Sequence, residues 1–71
     1  MLKDKSDERL IRIQEVKEIT GLSRSYIYAL SAKGDFPKSL SLVPGGSSVA
    51  WIYSEVNEWI EGRINNRAAE V

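Results

Sequence analysis

A mainly α-helical domain with one small β-hairpin, in the order helix–turn–helix–hairpin–helix, is the fold class the sequence predicts. Three observations predict it. Two short amphipathic stretches are joined by Thr20-Gly21-Leu22-Ser23. An alternating stretch and a β-branched, aromatic stretch flank Pro44-Gly45-Gly46-Ser47-Ser48, and a last apolar stripe follows Ser54. At 71 residues the chain has room for one domain, and a domain of this size buries only a modest core.

Residues 1–8 are polar, mixed in charge and without periodicity, which predicts a flexible N-terminal arm. Leu10, Ile11 and Ile13 form a short apolar run, a strand-like or irregular lead-in to the first helix. Ile13, Val16 and Ile19 recur every three residues, placing them on one face of a helix over about Gln14 to Thr20. Glu15 in its first turn suits the positive end of the helix dipole, and Gly21 stops it as a glycine past the last turn commonly does.

Ser23 is a good N-cap for a second helix from Arg24 to about Lys33, with Gly34 closing it. On that helix Tyr26, Ile27 and Leu30 are assigned to one side, and Arg24, Ser25, Tyr28, Ala29 and Ala32 to the other. Phe36-Pro37 then breaks helical geometry, because the residue before a proline is pushed to extended conformations. Ser39 to Leu42 alternates polar and apolar, and Val49 to Tyr53 is rich in strand formers. Together they predict a hairpin with a glycine tip. Ser54 is the expected cap of the last helix, with Val56, Trp59, Ile60 and Ile64 as its apolar stripe. The expected domain is 9–64, and residues 65–71 read as a frayed tail. A hairpin directly after a helix-turn-helix is the layout of a winged helix-turn-helix.

Composition removes several function classes. The chain has no cysteine and no histidine, which takes away disulfides, zinc fingers and the common thiolate and imidazole metal sites. Its apolar runs are a few residues long, far short of a membrane span, and the N-terminus lacks the apolar run of a signal peptide. A soluble, cytoplasmic protein with no membrane partner and no cofactor is expected. With no nucleophile–base pair, metal cluster or phosphate-binding loop, no enzymatic activity is expected either.

Ten basic and ten acidic residues give zero formal net charge, whereas nucleic-acid binders are commonly basic. The distribution is uneven. Residues 1–19 balance, residues 20–54 carry Arg24, Lys33 and Lys38 against Asp35, and residues 55–71 carry Arg63 and Arg67 against Glu55, Glu58, Glu61 and Glu70. The middle is net basic and the end net acidic, an asymmetry that permits DNA binding without indicating it.

The runs Arg9-Leu10-Ile11-Arg12-Ile13, Gly21-Leu22-Ser23-Arg24-Ser25, Ile27-Tyr28, Gly34-x-Phe36-Pro37, Val49-Ala50-Trp51 and Glu55-Val56-x-x-Trp59-Ile60 resemble the AlpA family. These are short prophage-type regulators related to excisionases and to the DNA-binding half of MerR-like proteins. The resemblance spans about Arg9 to Arg63. It implies a winged helix-turn-helix that binds double-stranded DNA near an integrase gene or an attachment site. It further implies a regulator of transcription, a recombination directionality factor favouring excision, or both. Two departures stand out: Ala29 where the family often carries a basic residue, and Ser47 where it often carries an arginine near the wing.

A recognition helix presents its N-terminal residues to base edges in the major groove. Arginine pairs bidentately with guanine, and hydroxyls reach phosphates or bases. The DNA-binding candidates are therefore Ser23, Arg24, Ser25 and Tyr28, with Arg24 first among them. Lys33 and Lys38 flank the turn before the wing and are phosphate candidates against the alternative of ordinary solvated lysines. Arg12, with Arg9, is a similar candidate from the lead-in. Ser47 and Ser48, with the backbone N–H groups of Gly45 and Gly46, are wing candidates, although a tight turn explains them nearly as well. Trp51 shares a strand face with Val49, and Trp59 shares the last helix's stripe, so both read as core rather than base-stacking platforms. Glu55, Glu58 and Glu61 read as a solvated helix face.

With roughly three to five phosphate contacts, one protomer should bind weakly, so cooperative binding of several copies to repeated sites is expected, with an integrase as a further candidate partner. The alternative is a winged-helix module that binds proteins without DNA, since a fold does not by itself select a function. Zero net charge and the acidic last helix favour that alternative.

Overall fold

The computed structural model describes residues 9–70, with side chains through residue 67. The expected N-terminal arm, residues 1–8, lies outside the described residues, as does Val71. The order is β1 (Leu10–Ile11), α1 (Ile13–Thr20), α2 (Arg24–Lys33), β2 (Leu40–Ser41), β3 (Val49–Ile52) and α3 (Tyr53–Glu70). It is a winged helix-turn-helix, mainly helical with a small antiparallel sheet.

The two helices of the helix-turn-helix end where local chemistry ends them. α1 runs into Gly21 at φ 76, whose N–H donates to the Lys17 carbonyl. Thr20 threads the turn: its hydroxyl donates to the Val16 carbonyl at 2.8 Å and accepts from the Leu22 N–H at 3.2 Å. Ser23 caps α2 by accepting the Tyr26 N–H at 3.1 Å. At the far end Gly34 adopts φ 84. Its N–H donates to the Ser31 carbonyl and that of Asp35 to the Leu30 carbonyl, the paired closure of a Schellman motif.

The lead-in is a strand. β1 pairs antiparallel with β3 (Leu10 opposite Ile52, Ile11 opposite Trp51), and the Tyr53 N–H donates to the Arg9 carbonyl at 2.7 Å. β2 pairs with the other edge of β3, giving a three-stranded sheet in the order β1-β3-β2 rather than a bare hairpin. The reason is the unpaired side of β3: a buried strand edge needs partners for its N–H and C=O groups, and the nearest free chain supplies them. The wing turn over Val43-Pro44-Gly45-Gly46 is closed by the Gly46 N–H on the Val43 carbonyl, with Gly45 at φ 78. Proline at the second and positive-φ glycine at the third position define a type II turn.

Five details depart from the sequence reading. α1 starts at Ile13, with Arg12 in extended backbone before it. β3 stops at Ile52, and Tyr53 rather than a residue after Ser54 opens α3, because the ladder to Arg9 ends there. Leu42, expected in the hairpin strand with Leu40, lies past the paired strand and is exposed. α3 continues to Glu70 where a frayed tail was expected from Asn65: no proline interrupts it, and Arg67, Ala68, Ala69 and Glu70 all favour helix. Ile64 lies beyond the packed part of α3 and is exposed.

The core is Ile11, Val16, Ile27, Phe36, Trp51 and Val56, one residue from every element except β2, with Phe36 from the loop after α2. Trp51 is fully buried and its indole N–H donates to the Pro37 carbonyl at 3.1 Å. Trp59 packs edge-to-face on Phe36, centroids 4.8 Å apart, and donates to the Asp35 carbonyl at 2.7 Å. Its ring thus meets the loop after α2. Phe36, read from the sequence only as a helix breaker, is buried because this loop must cover the gap between α2 and α3. No buried side-chain polar atom is left without a partner among the described residues.

Candidate nucleic-acid interface

The candidate site is built on α2. Successive residues advance about 100° around a helix, so Ile27, Leu30 and Ser31 point inward while Ser25, Ala29 and Ala32 centre the outward face. Burial agrees: Ile27 is fully buried, Leu30 and Ser31 are partly so, and the outward residues are exposed. Tyr26 and Tyr28 stand about 100° to either side of Ile27 and are therefore flanks, not opposites. Tyr26, assigned from the sequence to the apolar side, is 54% exposed. Tyr28, assigned to the outward side, is 37% exposed and packs its ring on Trp51 at 5.8 Å between centroids.

Ser23, Arg24, Ser25 and Tyr28 come together on the first turns of α2, and all four are exposed. The Arg24 guanidinium lies over the Tyr28 ring, 6.0 Å from its centroid, at the outer limit of a cation–π contact. The Ser23 oxygen is occupied by its capping bond, which leaves its hydroxyl proton to donate elsewhere. Lys33 stands at the other end of the helix, about 13 Å along the axis. Its amine is 3.9 Å from Asp35, with both side chains well exposed, an ion pair that solvent screens heavily.

The remaining candidates come from other elements. Arg12 is exposed at the junction of β1 and α1, and Lys38 is exposed before β2. Arg9 is committed elsewhere: it holds Glu15 at 2.8 Å and lies over the Tyr53 ring at 4.7 Å. In the wing turn Ser47 is exposed and Ser48 half-buried. The Gly46 N–H is occupied by the turn itself, donating to the Val43 carbonyl. Arg63 lies over Trp59 at 4.8 Å, on the acidic last helix. No cluster of three or more metal-ligating side chains occurs among the described residues, and no described helix is long and apolar enough to cross a membrane. Tyr26 is the α2 residue whose exposure departs most from the sequence reading, although its angular distance from Ile27 is readable from its position alone.

Residues 9–64 match the family described as prophage CP4-57 regulatory protein (AlpA). The chain belongs to the AlpA family. This AlpA-family chain is similar to a phage protein and to a bacterial one. It is 52% identical over 66 residues to a protein of Enterobacteria phage P4 described as uncharacterized protein ORF88, covering 93% of this chain and 73% of that one. It is 35% identical over 68 residues to the DNA-binding transcriptional activator AlpA of Escherichia coli (strain K12), covering 87% of this chain and 94% of that one. The family's description is that of a regulatory protein rather than of a catalysed reaction.

Proposed function

We propose that this AlpA-family protein is a sequence-specific DNA-binding regulator of a prophage or other mobile element. It acts on transcription of an integrase gene, on excision as a recombination directionality factor, or on both. The observation that carries this reading is the exposed start of α2, where Ser23, Arg24, Ser25 and Tyr28 stand together on the first two turns of the second helix of a helix-turn-helix. The 35% identity to a bacterial protein named as a DNA-binding activator supports it.

In the proposed mechanism α1 braces the unit and α2 enters the major groove, with Arg24 and Ser25 toward base edges. Lys33, Lys38 and Arg12 neutralise phosphates around it, and Ser47 and Ser48 bring the wing to an adjacent stretch of backbone. Residues 9–64 form the DNA-binding unit. Weak binding by a single protomer is offset by several copies on repeated sites, and the integrase is a candidate partner at an attachment site.

Fluorescence anisotropy tests the reading with labelled duplex from the gene's own neighbourhood, including any integrase promoter and attachment site, and scrambled duplex of equal length as control. Tighter binding to the native fragment, lost in Arg24→Ala with the helical circular dichroism unchanged, is the expected result. Equal or absent binding to both duplexes would move the assignment to a winged-helix module that recognises proteins, which the neutral overall charge would suit.

A further inference from the structure

The two tyrosines of α2 are held differently, and this difference extends the DNA-binding reading on which it rests. Tyr28 belongs to a line of contacts that starts at a tilted ring pair with Trp51. Trp51 beneath it is fully buried and anchored by its indole N–H to the Pro37 carbonyl. The Tyr28 ring packs on Trp51, and Arg24, one turn earlier, lies over the Tyr28 ring. Arg24 therefore stands at the end of a chain of aromatic contacts that begins in the core. Tyr26 has no such support. It is the most exposed of the large hydrophobic residues on α2, and its hydroxyl makes no hydrogen bond among the described residues. It projects from the third position of the helix on the flank away from Tyr28.

We propose that the tyrosines divide the work of DNA recognition: Tyr28 is a positioning residue that holds Arg24 toward the base edges, and Tyr26 is a direct contact to the DNA backbone. A tyrosine offers an apolar ring at low entropy cost and a hydroxyl able to donate to a phosphate oxygen. With α2 in the major groove, the two flanks of the helix face the two phosphate backbones that wall the groove. Tyr26 then reaches the wall opposite the one nearest Tyr28. The Tyr26 hydroxyl carries no charge, so its contact adds affinity for any duplex without adding counterion release.

The test is anisotropy on native and scrambled duplexes with Tyr26→Phe, Tyr28→Phe, Tyr28→Leu and Arg24→Ala, each checked for a wild-type thermal melt. Tyr28→Leu keeps apolar volume on Trp51 while removing the aromatic face, so it remains informative where an alanine would disturb the core. Tyr26→Phe should weaken binding about tenfold on both duplexes, leaving the native-to-scrambled ratio and the salt slope unchanged. Tyr28→Phe should bind as wild type. Tyr28→Leu should lower the native-to-scrambled ratio, and adding Arg24→Ala to it should cost less than Arg24→Ala costs alone. Tyr26→Phe without effect on either duplex overturns the backbone contact. Tyr28→Phe losing as much as Tyr28→Leu puts that hydroxyl on the DNA and overturns the positioning role. Wild-type protein that does not prefer the native duplex would instead defeat the DNA-binding reading itself.

Discussion

Single residues in this chain behave according to backbone angle and surroundings more than residue type, and its glycines show it. Gly34 closes α2 at φ 84, and an added Cβ there would meet nothing within 4 Å. Crowding cannot penalise a side chain at that position, but the left-handed backbone can. Gly62 also faces open space, within α3 and without a positive φ. The same substitution should therefore have opposite signs: Gly34→Ala destabilises by about 1 kcal/mol, and Gly62→Ala stabilises by about 0.5–1 kcal/mol. Thermal melts followed by circular dichroism should show shifts of about 4–8 °C per kcal/mol, downward for the first and upward for the second. The caps were legible at this scale because they depend on a few neighbouring residues: Ser23, Gly21 and Gly34 all do what their positions suggest. Phe36 was not, because its burial depends on Trp59, twenty-three positions along the chain and opposite it in space.

At the scale of elements, the helix-turn-helix could be read directly and the sheet only in part. Periodicity and capping are local, so α2 runs from Arg24 to Lys33 as expected. β1 is two residues long and carries no alternating pattern of its own. It is a strand because β3 offers an open edge and because Ile11 beside Trp51 fills the core. That origin gives a contrast between its two residues. Ile11 is buried and Leu10 is 45% exposed. Ile11→Ala should cost about 2–4 kcal/mol, as a large-to-small change in a packed core does, while Leu10→Ala should cost well under 1 kcal/mol. Urea titrations of the two variants check this, and equal midpoints would mean β1 contributes little to the core. α3 teaches the same lesson from the other side. Its stripe faces the core through Val56, Trp59 and Ile60, but Ile64, at the same helical spacing, has no body left to pack on.

For the whole molecule, charge placement matters more than charge sum. The net charge is zero, yet the basic residues around α2 and the loop after it meet a single acid, Asp35, and Arg9 is already paired with Glu15. Among the described residues, the cations placed around α2 are Arg12, Arg24, Lys33 and Lys38. Roughly three to five phosphate contacts per protomer predict a slope of log affinity against log salt of about −3 to −4. That term is small, so binding to native DNA carrying repeated sites should be cooperative. Anisotropy across a salt series measures the slope, and a mobility-shift titration measures the cooperativity. One tight, non-cooperative complex with a much steeper slope would mean that a single protomer engages far more of the backbone.

By itself the sequence determined what neighbours along the chain decide: two helices and their caps, the glycine-tipped wing, the absence of cysteine and histidine chemistry, and the runs that mark the AlpA family. The tertiary structure decided what depends on residues far apart in the chain. It made a strand of the lead-in, put Phe36 in the core, held Arg9 on Glu15 and Tyr53, and set Tyr28 on Trp51 while leaving Tyr26 exposed. Helical period and capping act over a turn or two, within reach of a sequence pattern. Burial depends on which surfaces meet once the elements close on one another, and a local pattern carries no record of that.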